Sequence, residues 1–193
     1  MKTVLFVPGF QEDMKSRDYI STLNAIKSRG YFVKFVPINW KRTVINDWVK
    51  QLEEEYNNHD AASTILAGFS YGSVTAFMAA TKRNPAELWL FSLSPYFSAD
   101  IPKQKQARLN IIGTRRTEAF RQLNFDTLAK AIKCKTLIFV GELEIKKYPL
   151  IGKRAQLAER LIGDAQLTTI VAVGHDVAHR DYVASIKSAI RSD

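Results

Sequence analysis

Short apolar runs alternate along the chain with longer stretches in which apolar residues recur every three or four positions. The runs at residues 3–7, 31–37, 64–67, 88–92, 136–140 and 167–173 are rich in Val, Ile, Leu or Phe, as strands covered on both faces should be. They predict six strands. The stretches at 17–29, 44–56, 73–83, 117–130, 150–162 and 175–190 carry the helical spacing. Within 44–56, Val44, Trp48, Leu52 and Tyr56 form one stripe, while Asp47, Lys50, Glu53 and Glu54 fall on other faces. Such a stripe is core contact. Gly30 and Gly163 are placed to stop the first and fifth helices. Strands alternating with amphipathic helices predict β-α-β units, hence a three-layer α/β/α sandwich around a mostly parallel six-stranded sheet.

One segment breaks the pattern. Residues 95–116 show no clear period and are expected as a long connection after the fourth strand, able to cover a cleft as a lid-like loop. The chain has no internal repeat, low-complexity tract or linker, and 193 residues with 46% hydrophobic content suit one core, so residues 1–193 are expected to form a single domain. The lone Cys134 excludes an intramolecular disulfide framework and reads as a small buried residue before a strand. The N-terminal apolar run is too short for a signal peptide, and no run approaches the ~20 residues that cross a bilayer. A soluble, cytoplasmic protein without a membrane span is the expectation.

A net charge of +9 raises the question of nucleic acid. The basic residues are spread along the chain, no nucleic-acid-binding motif accompanies them, and the aromatics alternate as core residues do, so no nucleic-acid partner is expected. Placed on the expected fold, Lys41 and Arg42 follow the second strand, Lys103, Lys105, Arg108, Arg115 and Arg116 the fourth, and Lys146, Lys147, Lys153 and Arg154 the fifth. All leave the sheet at the edge where open α/β sheets bind ligands. An electropositive rim that attracts anionic substrates follows as a hypothesis; a set of solvated loops accounts for the same pattern.

The candidate chemistry centres on Gly68-Phe69-Ser70-Tyr71-Gly72, between the apolar residues 63–67 and the helix-like residues 73–80. This is the setting of a nucleophile elbow, in which a sharp strand-to-helix turn pushes a serine into a cleft and the helix N-terminus offers free amides to an anion. Glycines on both sides avoid collisions where the turn is tightest.

A serine hydroxyl needs a base, and the base an acid. His59 precedes the third strand, at the opposite sheet edge, and is set aside; His175 follows the sixth strand through Gly174, at the cleft edge, and is preferred over His179 one turn further on. The acid is sought at the end of the fifth strand, where Gly141-Glu142-Leu143-Glu144 offers two glutamates. Glu144 is favoured, with Glu142 as the alternative.

With Ser70, Glu144 and His175 in the order nucleophile, acid, histidine, the whole chain resembles a serine-type α/β-hydrolase, a compact, cap-less, esterase-like member. The resemblance implies an oxyanion hole of two backbone amides, Phe10 (alternative Gln11) and Tyr71, with Pro8 standing where a histidine is common. It also implies the α/β-hydrolase fold without the N-terminal antiparallel strands, an open cleft, and Tyr96 and Phe97 as substrate-pocket walls. The glutamate acid departs from the more common aspartate.

The segment His175-Asp176-Val177-Ala178-His179 superficially resembles the His-Glu-x-x-His zinc motif, but aspartate replaces its glutamate and no third ligand is evident, so no metal is expected. No Gly-x-Gly-x-x-Gly follows the first strand and no Walker-type loop occurs, so no nucleotide, flavin or other cofactor is implied. The expected function is hydrolysis of a small-molecule carboxylic ester or thioester through an acyl-enzyme, an anionic substrate being what the basic rim would attract. Peptidase or amidase activity on the same triad, or a non-enzymatic binding module on the hydrolase scaffold, are the alternatives.

Overall fold

A computed structural model describes residues 1–16 and 19–190. Among them, strands β1 (Thr3–Val7), β2 (Phe32–Phe35), β3 (Thr64–Phe69), β4 (Glu87–Phe91), β5 (Lys135–Gly141) and β6 (Ala165–Ile170) form one sheet in the order β2-β1-β3-β4-β5-β6. Every pairing is parallel. Strands of period two present alternate residues to opposite faces. Leu5, Leu66, Leu90 and Ile138 enter one apolar core, with Trp48 and Leu52 of α2 (Ile45–Tyr56) and Val74 and Phe77 of α3 (Tyr71–Ala80). Their neighbours Phe6, Ala67, Trp89, Phe91 and Phe139 enter a second, with Leu23 of α1 (Tyr19–Lys27) and Tyr182 and Ile186 of α9 (Arg180–Ala189). Three layers result.

The sheet grows from β1 to β2 in one direction and then from β3 to β6 in the other. The reversal opens a crevice beyond the carboxyl ends of β1 and β3, the place where such sheets bind ligands. The turn after β1 holds Phe10, and the turn after β3 holds Ser70.

Several element boundaries differ from the sequence expectation. The first expected helix begins at Arg17, which with Asp18 lies outside the described residues; the described helix starts at Tyr19. Strand β6 begins and ends earlier than expected and is covered less than the central strands, as befits a sheet edge. Residues 95–116 are not a plain loop: they contain a short 3-10 turn, Ile101–Lys103, helix α4 (Gln106–Ile112) and the start of α5 (Thr114–Arg121). The helix expected over 117–130 is two, α5 and α6 (Phe125–Ala131), because the Asn124 side chain accepts from Thr127 N at 3.0 Å and restarts the helix. The glutamate turn after β5 is helix α7 (Glu142–Lys147), followed by α8 (Pro149–Leu161). Helix α9 starts five residues beyond His175, which therefore sits in a loop, and His179 caps the helix by accepting from Asp181 N at 3.3 Å.

Candidate active site

The turn at the end of β3 is held by backbone contacts that leave no room for side chains. A Cβ on Gly68 would collide with the Gly72 carbonyl, and one on Gly72 with the carbonyls of Val7 and Pro8. Ser70 between them adopts φ 57° and ψ −114°, a conformation that costs an L-residue energy and persists only where its surroundings enforce it. The enforcement is visible. Ser70 N donates to Phe91 O at 2.9 Å, and the Ser73 hydroxyl, a residue with no assigned role in the sequence reading, is hydrogen-bonded to Gly68 O and lies 2.8 Å from Phe91 O.

The Ser70 hydroxyl lies 3.1 Å from His175 Nε2, and His175 Nδ1 lies 2.5 Å from Glu144 Oε1. A hydrogen bond from Nδ1 to the carboxylate leaves Nε2 to accept the serine proton. Ser94 Oγ, 3.1 Å from Ser70 Oγ, then supplies its own proton to the serine oxygen. The imidazole rests on the Phe69 ring at 4.6 Å between centroids, which limits its rotation.

Glu144 is 1% exposed. Burying a carboxylate is costly unless its oxygens are bonded. Here Oε2 accepts from Ser92 Oγ at 2.7 Å and from Gly141 N at 3.3 Å, while Oε1 faces the imidazole. Ser92, at φ 53°, also contacts the Tyr182 hydroxyl at 3.1 Å, and Tyr182 donates to Phe139 O at 3.1 Å. Burial, and then the Glu144 charge, push the Tyr182 hydroxyl well above its ordinary range. Val173 O accepts from Leu143 N at 2.9 Å, tying α7 to the loop that carries His175.

Glu142 has different partners. Its carboxylate accepts from Ala172 N at 3.0 Å and pairs with Lys146 at 2.7 Å, and the hydrogen bond from Lys146 lowers its proton affinity. Of the two glutamates, Glu144 is the one brought to His175. His59, across the sheet, bonds Glu55 at 2.9 Å.

Opposite Ser70, the Phe10 ring packs against Trp40, Trp48 and Tyr71 at 5.5, 6.0 and 5.4 Å. This anchors the turn whose next residue, Gln11, has φ 60°. Among the described residues, the amides of Phe10, Gln11 and Tyr71 donate to no protein acceptor. Tyr71 is the first residue of α3, where helical N–H groups have no intrahelical partner.

A cleft of about 250 Å³ opens above Ser70 and His175, with Tyr96, Ile112, Tyr148 and Ile151 in its walls. Tyr96 stacks on Tyr71 at 4.9 Å. Phe97 does not line it: fully buried, it packs on Phe77 and Phe125, so the expected pocket wall is a core residue instead. Alternation explains the error, because adjacent residues after a strand point in opposite directions. The sequence reading gave no role to Ser92, Ser94, Tyr182 or Tyr148. The Ser-x-Ser just past β4 was the one local signal, since it stands at the ligand-binding sheet edge; Tyr182 reaches the site only through folding.

The basic rim is also corrected in part. Arg154 is buried and paired with Asp100 at 2.5 and 3.1 Å. Arg116 donates to Trp40 O, Thr43 O and Ile112 O, and Arg115 to Arg42 O, so both fasten α4 and α5 to the loop after β2.

Comparison with protein-family models gives no match, and neither does comparison with curated protein sequences. Solved structures do match. Est1E from Butyrivibrio proteoclasticus, in a structure with bound ferulic acid, superposes with a TM-score of 0.78 at 11% identity, over 98% of this chain and 86% of that one. MenH from S. aureus gives 0.68 at 19% identity, over 97% and 91%, and the carboxylesterase CesB from Bacillus subtilis 0.66 at 12%, over 96% and 81%. With its parallel sheet, its strand order and its near-complete overlap with these esterase-like neighbours, the chain has the α/β-hydrolase fold.

Proposed function

We propose that the protein is a serine hydrolase that cleaves a carboxylic ester or thioester through an acyl-enzyme, with Ser70 as nucleophile, His175 as base and Glu144 as the acid. The observation that carries this reading is one imidazole bridging a fully buried carboxylate and a serine on a strained turn, at 2.5 and 3.1 Å. The fold's esterase-like neighbours support the reaction class.

In the first step Ser70 Oγ attacks the carbonyl carbon while its proton passes to His175 Nε2. Glu144 holds the ring by Nδ1 and stabilises the imidazolium that forms. The negative oxygen faces the amide of Tyr71 and that of Phe10, or of its neighbour Gln11, at the positive end of α3. His175 then gives its proton to the leaving alcohol or thiol, the C–O or C–S bond breaks, and the acyl group remains on Ser70. Water, deprotonated by the same nitrogen, releases the acid and restores the serine. Ser94, by donating to Ser70 Oγ, keeps that oxygen's remaining lone pair oriented for attack.

A fluorophosphonate probe and a series of p-nitrophenyl esters of graded chain length test the reading together. Stoichiometric labelling that vanishes in Ser70→Ala, with ester cleavage lost in parallel, is expected. Absence of labelling at high probe concentration would leave a binding protein on a hydrolase scaffold.

A further inference from the structure

Beside the serine cleft lies a second cavity of about 400 Å³, between α4 and the junction of α7 with α8. The two share Pro95, Arg108 and Tyr148, so a molecule can extend from one into the other. Its volume falls in the range of small-molecule sites, which the serine cleft alone does not reach.

The lining of this cavity is chemically one-sided. Lys103, Lys105, Arg108 and Lys147 contribute to it, and no carboxylate does. Among the described residues none of these four forms an ion pair with an acid, whereas their neighbours Lys146 and Arg154 are matched to Glu142 and Asp100. Tyr148 stands between two of the cations, with Arg108 Cζ 3.9 Å and Lys147 Nζ 5.3 Å from its ring centre. Stacking holds the Arg108 guanidinium on the wall common to both cavities, and a guanidinium's planar fork matches a carboxylate or phosphate. Hydrogen bonding from Lys147, with the charges of Lys147 and Arg108, lowers the Tyr148 hydroxyl below its ordinary range, as the same two cations beside its ring require. Of the remaining lining, Pro95, Ala107, Pro149 and Leu150 are apolar and suit a hydrocarbon spacer, while the Gln104 amide donates to Pro95 O at 2.8 Å.

We infer that this cavity holds an anionic group, carboxylate or phosphate, joined by an apolar spacer to the ester whose carbonyl lies at Ser70. The inference rests on the hydrolase reading for the position of the carbonyl, and on the cavity alone for the anion. Arg108 makes the fork contact at the shared wall, and the three lysines complete the positive field.

Matched substrates test it. A p-nitrophenyl ester of a neutral fatty acid is compared with the hemiester of the dicarboxylic acid of equal length and with its ω-phosphate analogue; a carboxylate placed on the phenol instead reports the leaving-group side. The expected result is a kcat/KM about tenfold higher for an anionic ester than for its neutral match, the size of one charge-assisted contact. That advantage shrinks as ionic strength rises from about 0.01 M to about 1 M, since the Debye length falls from about 30 Å to about 3 Å. In the variant K103Q/K105Q/K147Q the anionic-to-neutral ratio falls toward one. Calorimetric titration of Ser70→Ala with the hemiester reads the cavity without chemistry, and its affinity should weaken about tenfold when the three lysines are also replaced. Cleavage of neutral esters with no preference for charge on either side would overturn the inference and leave the hydrolase reading in place. Lysine-dependent binding in a protein that cleaves no ester would retain the anion cavity and overturn the hydrolase reading.

Discussion

Tyr182 and Tyr148 lie on two sides of the same candidate site, and their surroundings push their hydroxyls in opposite directions. Burial and the Glu144 charge raise Tyr182; hydrogen bonding from Lys147 and the charges of Lys147 and Arg108 lower Tyr148. The first belongs to a sealed corner made of strand ends, where a carboxylate is held by Ser92 and a backbone amide. The second belongs to an open wall made largely of short helices, where four cations stand without an acidic partner among the described residues. The corner is built for one arrangement of atoms. The wall tolerates change, because its charged side chains are solvated and can be replaced without uncovering a buried group.

The comparison can be broken at several places. The largest effect is expected at Ser70→Ala, with a loss of about 10³- to 10⁶-fold in kcat and an unchanged circular dichroism spectrum. Next, Glu144→Gln should cost about 10⁴-fold, as loss of the acid does in related triads, whereas Glu142→Gln should stay within a few-fold. Equal losses in the two glutamate variants would remove the distinction between corner and exposed turn.

Stability separates the paired from the unpaired cations. Arg154→Met leaves Asp100 buried without its partner and should lower unfolding free energy by about 3–5 kcal/mol in denaturant titration, while Lys147→Gln should change it by no more than about 0.5 kcal/mol. Smaller still is Ser92→Ala, which deprives a buried carboxylate oxygen of one donor; roughly tenfold in kcat is expected, with Gly141 N still in place.

The smallest effect is spectroscopic. In an ultraviolet titration, Tyr148→Phe should remove absorbance change from the early part of the tyrosine transition, and Tyr182→Phe from its late part. The sign for stability follows from the raised group: the Tyr182 contribution is complete below the ordinary value of 10.0 and is lost above it, because the unfolded chain ionises first. An identical early loss in both variants would contradict the opposite fields.

Much of the fold was legible because its signals are local. A strand covered on both faces is apolar nearly throughout, which marked the central β1, β3, β4 and β5, and the edge strands β2 and β6 kept enough apolar residues to stand out as well. The elbow was legible for the same kind of reason: Gly68 and Gly72 are dictated by backbone collisions within the turn itself. Residues 95–121 were less legible. Helix α4 is seven residues long, too short for a clear period, and it is fastened by Arg116 to carbonyls more than seventy positions away, as in its bond from Nη2 to Trp40 O.

By itself, then, the sequence determined the succession of the six strands, the longer helices between them, the tight turn at Ser70 and the candidate residues for the chemistry, since each depends on neighbours along the chain. Only the tertiary structure decided that Glu144 and not Glu142 meets His175, that Ser92 and Tyr182 stand behind it, and that Arg154 is buried while four other cations share one cavity. Those outcomes depend on which strand ends and loops meet in space, and the direction of one side chain at the end of a strand is set by packing from segments far away in the chain.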